Sequence, residues 1–382
     1  MTYDVIIAGA GSVGVPTAMA LAELGLRPLV VDMHPSPGQG ENKHAIGGIR
    51  ATHSEPAKIF TCRRSLEIFS TWQQLHGDNI EWLKGGYVFP VYRPDDVQML
   101  KGLLAVQKKF DLNIDFVGPQ VIQKTIPGIN PQGLRGGTIS RDDGSISPLL
   151  VVNAFYRRAL KLGAEFHFNE KITEILCRKD MVVGIATDKT QYGTAVVIDA
   201  AGPFSPELGK TVNIDIPIIP DSHEGAITEP VAPFFKCMVV DIRPAAGSKN
   251  YYFYQNKHGQ VIFCITPDPP IIGKDKRETS QFLPQVCARM VNLLPRLKNL
   301  RVRRTWRGLY PMTPDGSPLI GWNREIKGLF HATGMCGQGL MLAPGIAETV
   351  ARAVAGSTNE TDDLILKKFS PYREFSGEEA LK

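Results

Sequence analysis

The first two dozen residues restrict this chain's fold more than any other stretch. Tyr3-Asp4-Val5-Ile6-Ile7-Ala8 is an apolar run of strand length that leads directly into Gly9-Ala10-Gly11-Ser12-Val13-Gly14, and residues 15–24 are then rich in Ala and Leu. A GxGxxG turn between a strand and a helix is the dinucleotide-binding fingerprint in its required setting. Gly9 permits the tight turn, Gly11 lets the backbone approach a pyrophosphate without a Cβ in the way, and Gly14 lets the helix pack close to the strand. Phosphates then face a helix N-terminus, where unpaired N–H groups and the helix dipole favour negative charge. A second strand, Leu29-Val30-Val31, ends in Asp32, near the offset at which a carboxylate accepts hydrogen bonds from an adenosine ribose. An ordinary βαβ turn would account for the glycines but not for the acid.

At 382 residues the chain can bury a large core, and its length predicts two domains or one domain with a large insertion. Its net charge of +5 comes from scattered Lys and Arg. Pairs such as Arg63-Arg64 and Arg303-Arg304 form no stripe with aromatics, which argues against nucleic acid as a partner. The six cysteines show no CxxC and no Cys/His spacing suited to zinc or iron–sulfur, so no metal is expected. No apolar run is long enough for a membrane span and no leader precedes the first strand, so the expected compartment is the cytoplasm.

Helical spacing recurs over residues 59–75 and 100–110, and residues 82–91 alternate like a strand. The prolines and glycines between 127 and 144 predict an irregular stretch. Pro148 opens a helix that Gly163 is placed to end. Strands follow at 164–168 and 195–198, with a hairpin around Lys179-Asp180 between them. Residues 195–198 run into Asp199-Ala200-Ala201-Gly202, a small-residue turn suited to close approach by a ligand. Short β segments occupy 224–228, 237–242, 251–254 and 260–266, with a helix near 282–294.

Near the other end, Thr333-Gly334-Met335-Cys336-Gly337-Gln338-Gly339 lies between a strand at 328–332 and a helix predicted from Pro344 to Ala355. This is a second place where backbone N–H groups can converge on an electron-rich ligand. A flavin needs such a place, because negative charge develops at its N1 and C2 carbonyl when hydride reaches N5.

With these motifs in place, the chain resembles the D-amino-acid-oxidase-like FAD-dependent oxidoreductases, above all the branch of sarcosine oxidase, glycine oxidase and the proline dehydrogenase β subunit. The matching stretches are GAGSVG, GGIRATHSE, DDGSISP, VVIDAAGPFS, TPDGSPLIG and ATGMCGQGLMLAPGIAE. The resemblance implies an α/β fold with bound FAD. It gives a discontinuous Rossmann-like FAD-binding domain over residues 1–85, 146–213 and 306–382. An inserted substrate domain of antiparallel β-sheet plus helices takes 86–145 and 214–305. The cofactor contacts implied are Gly9, Ala10, Gly11, Ser12, Val13, Gly14, Asp32, Met33, Gly48, Ile49, Ile172, Ala201, Gly202, Gly308, Gly334, Gly337, Gln338, Gly339, Leu340 and Met341.

Arg50 falls where sarcosine oxidases place an arginine that holds the substrate carboxylate, and its planar fork matches a carboxylate bidentately. The implied reaction is oxidation of a small amino acid, a secondary or N-methylated amine such as sarcosine or proline, or glycine, by hydride transfer to flavin N5. Gly308 stands where monomeric sarcosine oxidase attaches FAD through a cysteine, so non-covalent FAD is expected. Val261 and Met341 align with lysines of that enzyme, which favours a dehydrogenase over an oxidase and electrons passed to a carrier or partner subunit. Two other readings remain open: a 2-hydroxy-acid or glycerol-3-phosphate dehydrogenase, with His53 or His223 as general base, and a flavin-binding β subunit of a heteromeric complex.

Overall fold

The computed structural model describes residues 2–377 and 379. Its first layer is a six-stranded sheet in the order Leu319–Trp322, Leu329–Thr333, Val197–Asp199, Val5–Ala8, Pro28–Val31, Glu165–His167. All neighbours run parallel except the Leu319–Trp322 edge. Val5–Ala8 is buried along its whole length, as a central parallel strand covered on both faces must be. The helix Gly14–Glu23 packs on this sheet and against the helices Pro148–Lys161 and Gly339–Ala355. Three antiparallel strands, Gln191–Gly193, Met181–Thr187 and Ile172–Arg178, form a smaller sheet.

The other layer is an eight-stranded sheet ordered Val302–Met312, Ile219–Pro230, Gln260–Pro267, Ser248–Gln255, Met238–Asp241, Tyr87–Val91, Gly136–Ser140, Ile114–Val117. It is antiparallel apart from Met238–Asp241 beside Tyr87–Val91. Its core is rich in aromatics, including Tyr251, Phe253, Phe263 and Phe282. Val302–Met312 straddles the boundary expected at 305/306. No helix among the described residues is long and apolar enough to cross a membrane.

Three elements differ from the sequence expectation. The stretch expected to be irregular contains the strand Gly136–Ser140, and the strand Ile114–Val117 and helix Pro119–Thr125 precede it. Its glycines serve cross-strand packing rather than a turn: a Cβ on Gly137 would lie 2.3 Å from the Phe89 carbonyl oxygen. The helix expected over 100–110 begins at Pro94, with Asp95 and Asp96 in its first turn. The last long helix starts at Gly339, so Pro344 lies inside it. Proline is tolerated there because the helix Pro56–His76 crosses close by, and Ser65 Oγ accepts the Gly345 N–H at 3.1 Å.

The fingerprint glycines carry different constraints. A Cβ on Gly14 would sit 1.9 Å from the Gly9 carbonyl oxygen, whereas one on Gly11 would meet no atom of the chain within 4 Å. Gly14→Ala should therefore destabilise the flavin-free protein by about 1–3 kcal/mol in denaturant unfolding. Gly11→Ala should leave that stability within about 0.5 kcal/mol. Equal losses in the two variants would contradict this division.

Candidate functional site

A cavity of about 600 Å³ opens at the carboxyl ends of Val5–Ala8, Pro28–Val31 and Val197–Asp199 and runs to the inner face of the eight-stranded sheet. Open α/β sheets bind ligands at such strand ends. One half of the wall is backbone and small residues: Gly9, Gly11, Ser12, Val13, Ala201 and Gly202. Asp32 lines this half, and its two carboxylate oxygens accept the N–H groups of Ala10 at 2.6 Å and His34 at 2.7 Å. Each oxygen keeps a further lone pair for an incoming hydroxyl. Met33 and Ile172 complete this end of the wall.

Residues 337–341 line the middle of the cavity, where the helix Gly339–Ala355 begins. A Cβ on Gly337 would fall 2.2 Å from the Tyr310 ring, so this loop can lie flat against the aromatic wall only as glycine. The amide oxygen of Gln338 is buried there with no hydrogen-bond partner among the described residues. Gly48 and Gly308 face the same space. His44 packs on Gly308 so closely that a Cβ there would be 2.6 Å from the His44 Cβ. His44 Nδ1 lies 3.2 Å from Glu41, which also accepts the Leu309 N–H and pairs with Lys276. The open space over Gly11, the unpartnered Gln338 oxygen and the flat glycine loop all fit a dinucleotide with an extended planar ring.

Arg50 is 6% exposed and is the only arginine among the described residues lining the cavity. Its Nη1 donates to the Thr52 carbonyl at 2.6 Å. Behind it, Asp143 accepts the Ala51 N–H at 2.9 Å. Burial pushes the Asp143 acid up to about 6, against the opposing pull of the Ala51 amide, Ser140 and the Arg50 charge.

The eight-stranded sheet supplies the rest of the wall: Tyr87, Phe89, Val240, Tyr252, Cys264 and Tyr310. The Tyr252 and Tyr310 hydroxyls are 2.9 Å apart. His223 stacks on Tyr310 with ring centroids 3.8 Å apart. Its Nε2 is 3.1 Å from Asp221 Oδ2, while Nδ1 is buried without a hydrogen-bond partner among the described residues. Because a carboxylate only accepts, the neutral form of the ring carries its proton on Nε2 and its lone pair on Nδ1.

Five residues expected at the site do not line the cavity. Ala10 acts through its N–H to Asp32, Gly14 lies in the helix–strand contact, and Ile49 and Gly334 are one layer behind the wall. His53 is the substantive correction: it is fully buried beside Glu379 and Lys58, and burial pushes its pKa down to about 3, so it is no base facing the cavity. Val261 is also misplaced, because strand alternation turns it into the aromatic core while Cys264 and Thr266 line the cavity. Sequence reasoning missed Asp143, Asp221 and the tyrosines. Alternation in 251–254 and 260–266 marks one face of each strand as buried but does not say that the other looks into a cavity.

A family profile described as FAD dependent oxidoreductase matches residues 4–353. Among curated relatives, mitochondrial sarcosine dehydrogenase from Mus musculus is 21% identical over 94% of this chain and 40% of its own length. Glycine oxidase from Pseudomonas aeruginosa is 25% identical over 93% of this chain and 96% of its own. The chain spans 40% to 44% of the length of several of these relatives, including dimethylglycine dehydrogenase and 4-methylaminobutanoate oxidase. Among solved structures, L-proline dehydrogenase from P. horikoshii superposes with a TM-score of 0.91 at 26% identity over 97% of both chains. Glycine oxidase from Geobacillus kaustophilus shares the fold, with a TM-score of 0.87 at 20% identity over 98% of this chain and 100% of that one. The profile takes in the fingerprint, the Arg50 loop and the last glycine loop alike, and the chain belongs to the FAD dependent oxidoreductase family, with FAD as its cofactor.

Proposed function

We propose that this chain oxidises a small amino acid whose nitrogen is a secondary or N-methylated amine, of the sarcosine, proline or glycine type. The observation that carries the reading is Arg50, a buried cation in the cavity wall with a carboxylate behind it and aromatic surfaces opposite. In this reading residues 1–85 and 146–213, with the chain after Met312, form the FAD-binding unit. Residues 86–145 and 214–312 form the substrate unit. FAD, held without a covalent bond by Gly9 to Val13, Asp32, Ala201, Gly202 and residues 337–341, supplies the hydride acceptor. Similarity to sarcosine, glycine and proline oxidoreductases supports the substrate class. We extend the proposal to a cytoplasmic location.

The side chains have separable tasks. Arg50 fixes the carboxylate by a two-pronged pair, which orients the α-carbon and restricts rotation of a small substrate. His223 Nδ1 accepts the proton of the incoming ammonium, leaving the nitrogen lone pair free to push as the C–H bond breaks. Asp221 holds the tautomer that makes this possible. The tyrosine and phenylalanine walls exclude water and leave room for a short alkyl substituent or ring.

His223 would serve a 2-hydroxy acid equally well, so that reading stays the alternative. A phosphate ester is disfavoured, because Arg50 has no second cation beside it on the substrate-facing wall among the described residues. A flavin-binding subunit within a heteromeric assembly is compatible with the same site, the partner then taking the electrons.

Three measurements test the proposal. Arg50→Ala should weaken substrate affinity by about 2–5 kcal/mol with unchanged flavin content, and Arg50→Lys should recover only part of it. Unaltered kinetics would remove Arg50 from the site. The only lysine lining the cavity among the described residues is Lys171, at the Asp32 end, so no ammonium lines the site near Met341 to favour charge developing on oxygen. Dye-linked turnover should therefore exceed oxygen-linked turnover by about tenfold or more, or roughly 1.4 kcal/mol in barrier. Hydrogen peroxide formed at the dye-linked rate would restore a plain oxidase. Acid should release the flavin as FAD, and flavin retained in the pellet would contradict non-covalent binding.

A further inference from the structure

The loop that carries Arg50 is held from two sides by buried carboxylates that lie far away in sequence. On one side Asp143 accepts the Ala51 N–H at 2.9 Å and lies 3.3 Å from the Thr52 hydroxyl. On the other, Glu379 Oε1 accepts both the N–H and the hydroxyl of Ser54, each at 2.8 Å. Glu379 arrives on the segment that follows the helix Glu360–Lys368. Arg373 fastens that segment: its guanidinium grips Asp315 at 2.7 and 2.8 Å and donates to the Pro318 carbonyl at 2.8 Å.

The second Glu379 oxygen has no hydrogen-bond donor among the described residues. It faces Lys58 Nζ at 3.6 Å and His53 Nδ1 at 3.7 Å, and both of those side chains are fully buried. Burial favours a neutral acid at this place, yet the Lys58 and Arg50 charges hold the Glu379 carboxyl below the usual carboxylate range. Lys58 also donates to the Gly316 carbonyl at 2.9 Å, so it cannot swing out to water without breaking that bond. Removing the Glu379 charge would leave Lys58 and Arg50 as like charges in a nearly dry space, and removing its side chain would also cost the Arg50 loop its hold at Ser54.

We propose that Glu379 is a positioning residue for substrate binding: by holding Ser54 and balancing Lys58, it fixes loop 51–55 so that Arg50 is presented to the substrate carboxylate. This rests on the reading of Arg50 as the carboxylate anchor. The contacts of Arg373 and Glu379 then set substrate affinity without touching substrate or FAD.

The test uses the FAD-loaded full chain and acetate as the probe, titrated through its perturbation of the flavin absorbance. Glu379→Ala should weaken acetate binding by about tenfold or more, with FAD content unchanged. Glu379→Gln keeps an acceptor for Ser54 and loses only the charge, so it should fall between wild type and Glu379→Ala. Ser54→Ala should shift affinity in the same direction and remains informative if Glu379→Ala does not fold. With an amino acid that reduces the flavin, KM should rise by the same factor while kcat at saturation is retained. Arg50→Ala separates the two claims, because acetate binding that survives it removes the Arg50 reading whatever Glu379 does. Loss of binding in Arg50→Ala with wild-type affinity in Glu379→Gln and Ser54→Ala overturns the positioning proposal. So does a parallel loss of FAD and acetate in the Glu379 variants.

Discussion

A guanidinium that is 6% exposed cannot be left without counter-charge, and much of the candidate site is arranged around that requirement at Arg50. Asp143 comes from the turn between the strand Gly136–Ser140 and the short pair Gly48–Ile49 with Gly144–Ser145. Glu379 comes from the opposite side and is paired with Lys58. Two buried cations thus have two carboxylates nearby, and Arg50 also lines the cavity. A ligand carboxylate entering there meets a cation whose desolvation and orientation have already been paid for in folding.

The cofactor half depends on close backbone approach instead of charge. Gly14 against Gly9, and Gly337 against Tyr310, bring chain segments nearer than any side chain would allow. The result is a channel from Asp32 to the aromatic face of the large sheet. His223 reaches that face from the strand Ile219–Pro230, whose partner strand carries Gly308 and Tyr310, so one β pair brings Gly308 and His223 side by side.

What could be read from the sequence was what local backbone geometry dictates. The GxGxxG turn, Asp32 at the end of the second strand and the helix opened by Pro148 depend on neighbours within a few residues or one βαβ unit. Arg50 was legible only through family resemblance, since a lone arginine in a loop carries no periodic signal. Pairings across long separations were hidden: Ala51 with Asp143 spans 92 residues and Ser54 with Glu379 spans 325. The same limit explains His53, which stands beside Arg50 in sequence but turns to the opposite side of its loop, toward Lys58 and Glu379. It also explains Gly136 and Gly137, which resemble turn residues until the neighbouring strands that need their missing side chains are known.

The central claim is that one cavity pairs FAD with a carboxylate-bearing secondary amine anchored on Arg50. Anaerobic bleaching of the flavin absorbance by matched pairs of compounds tests it most directly. Sarcosine or proline should bleach the flavin, while dimethylamine or pyrrolidine, which lack the carboxylate, should not at the same concentration. Bleaching by the decarboxylated amines as readily as by the amino acids, or only by 2-hydroxy acids, would contradict it.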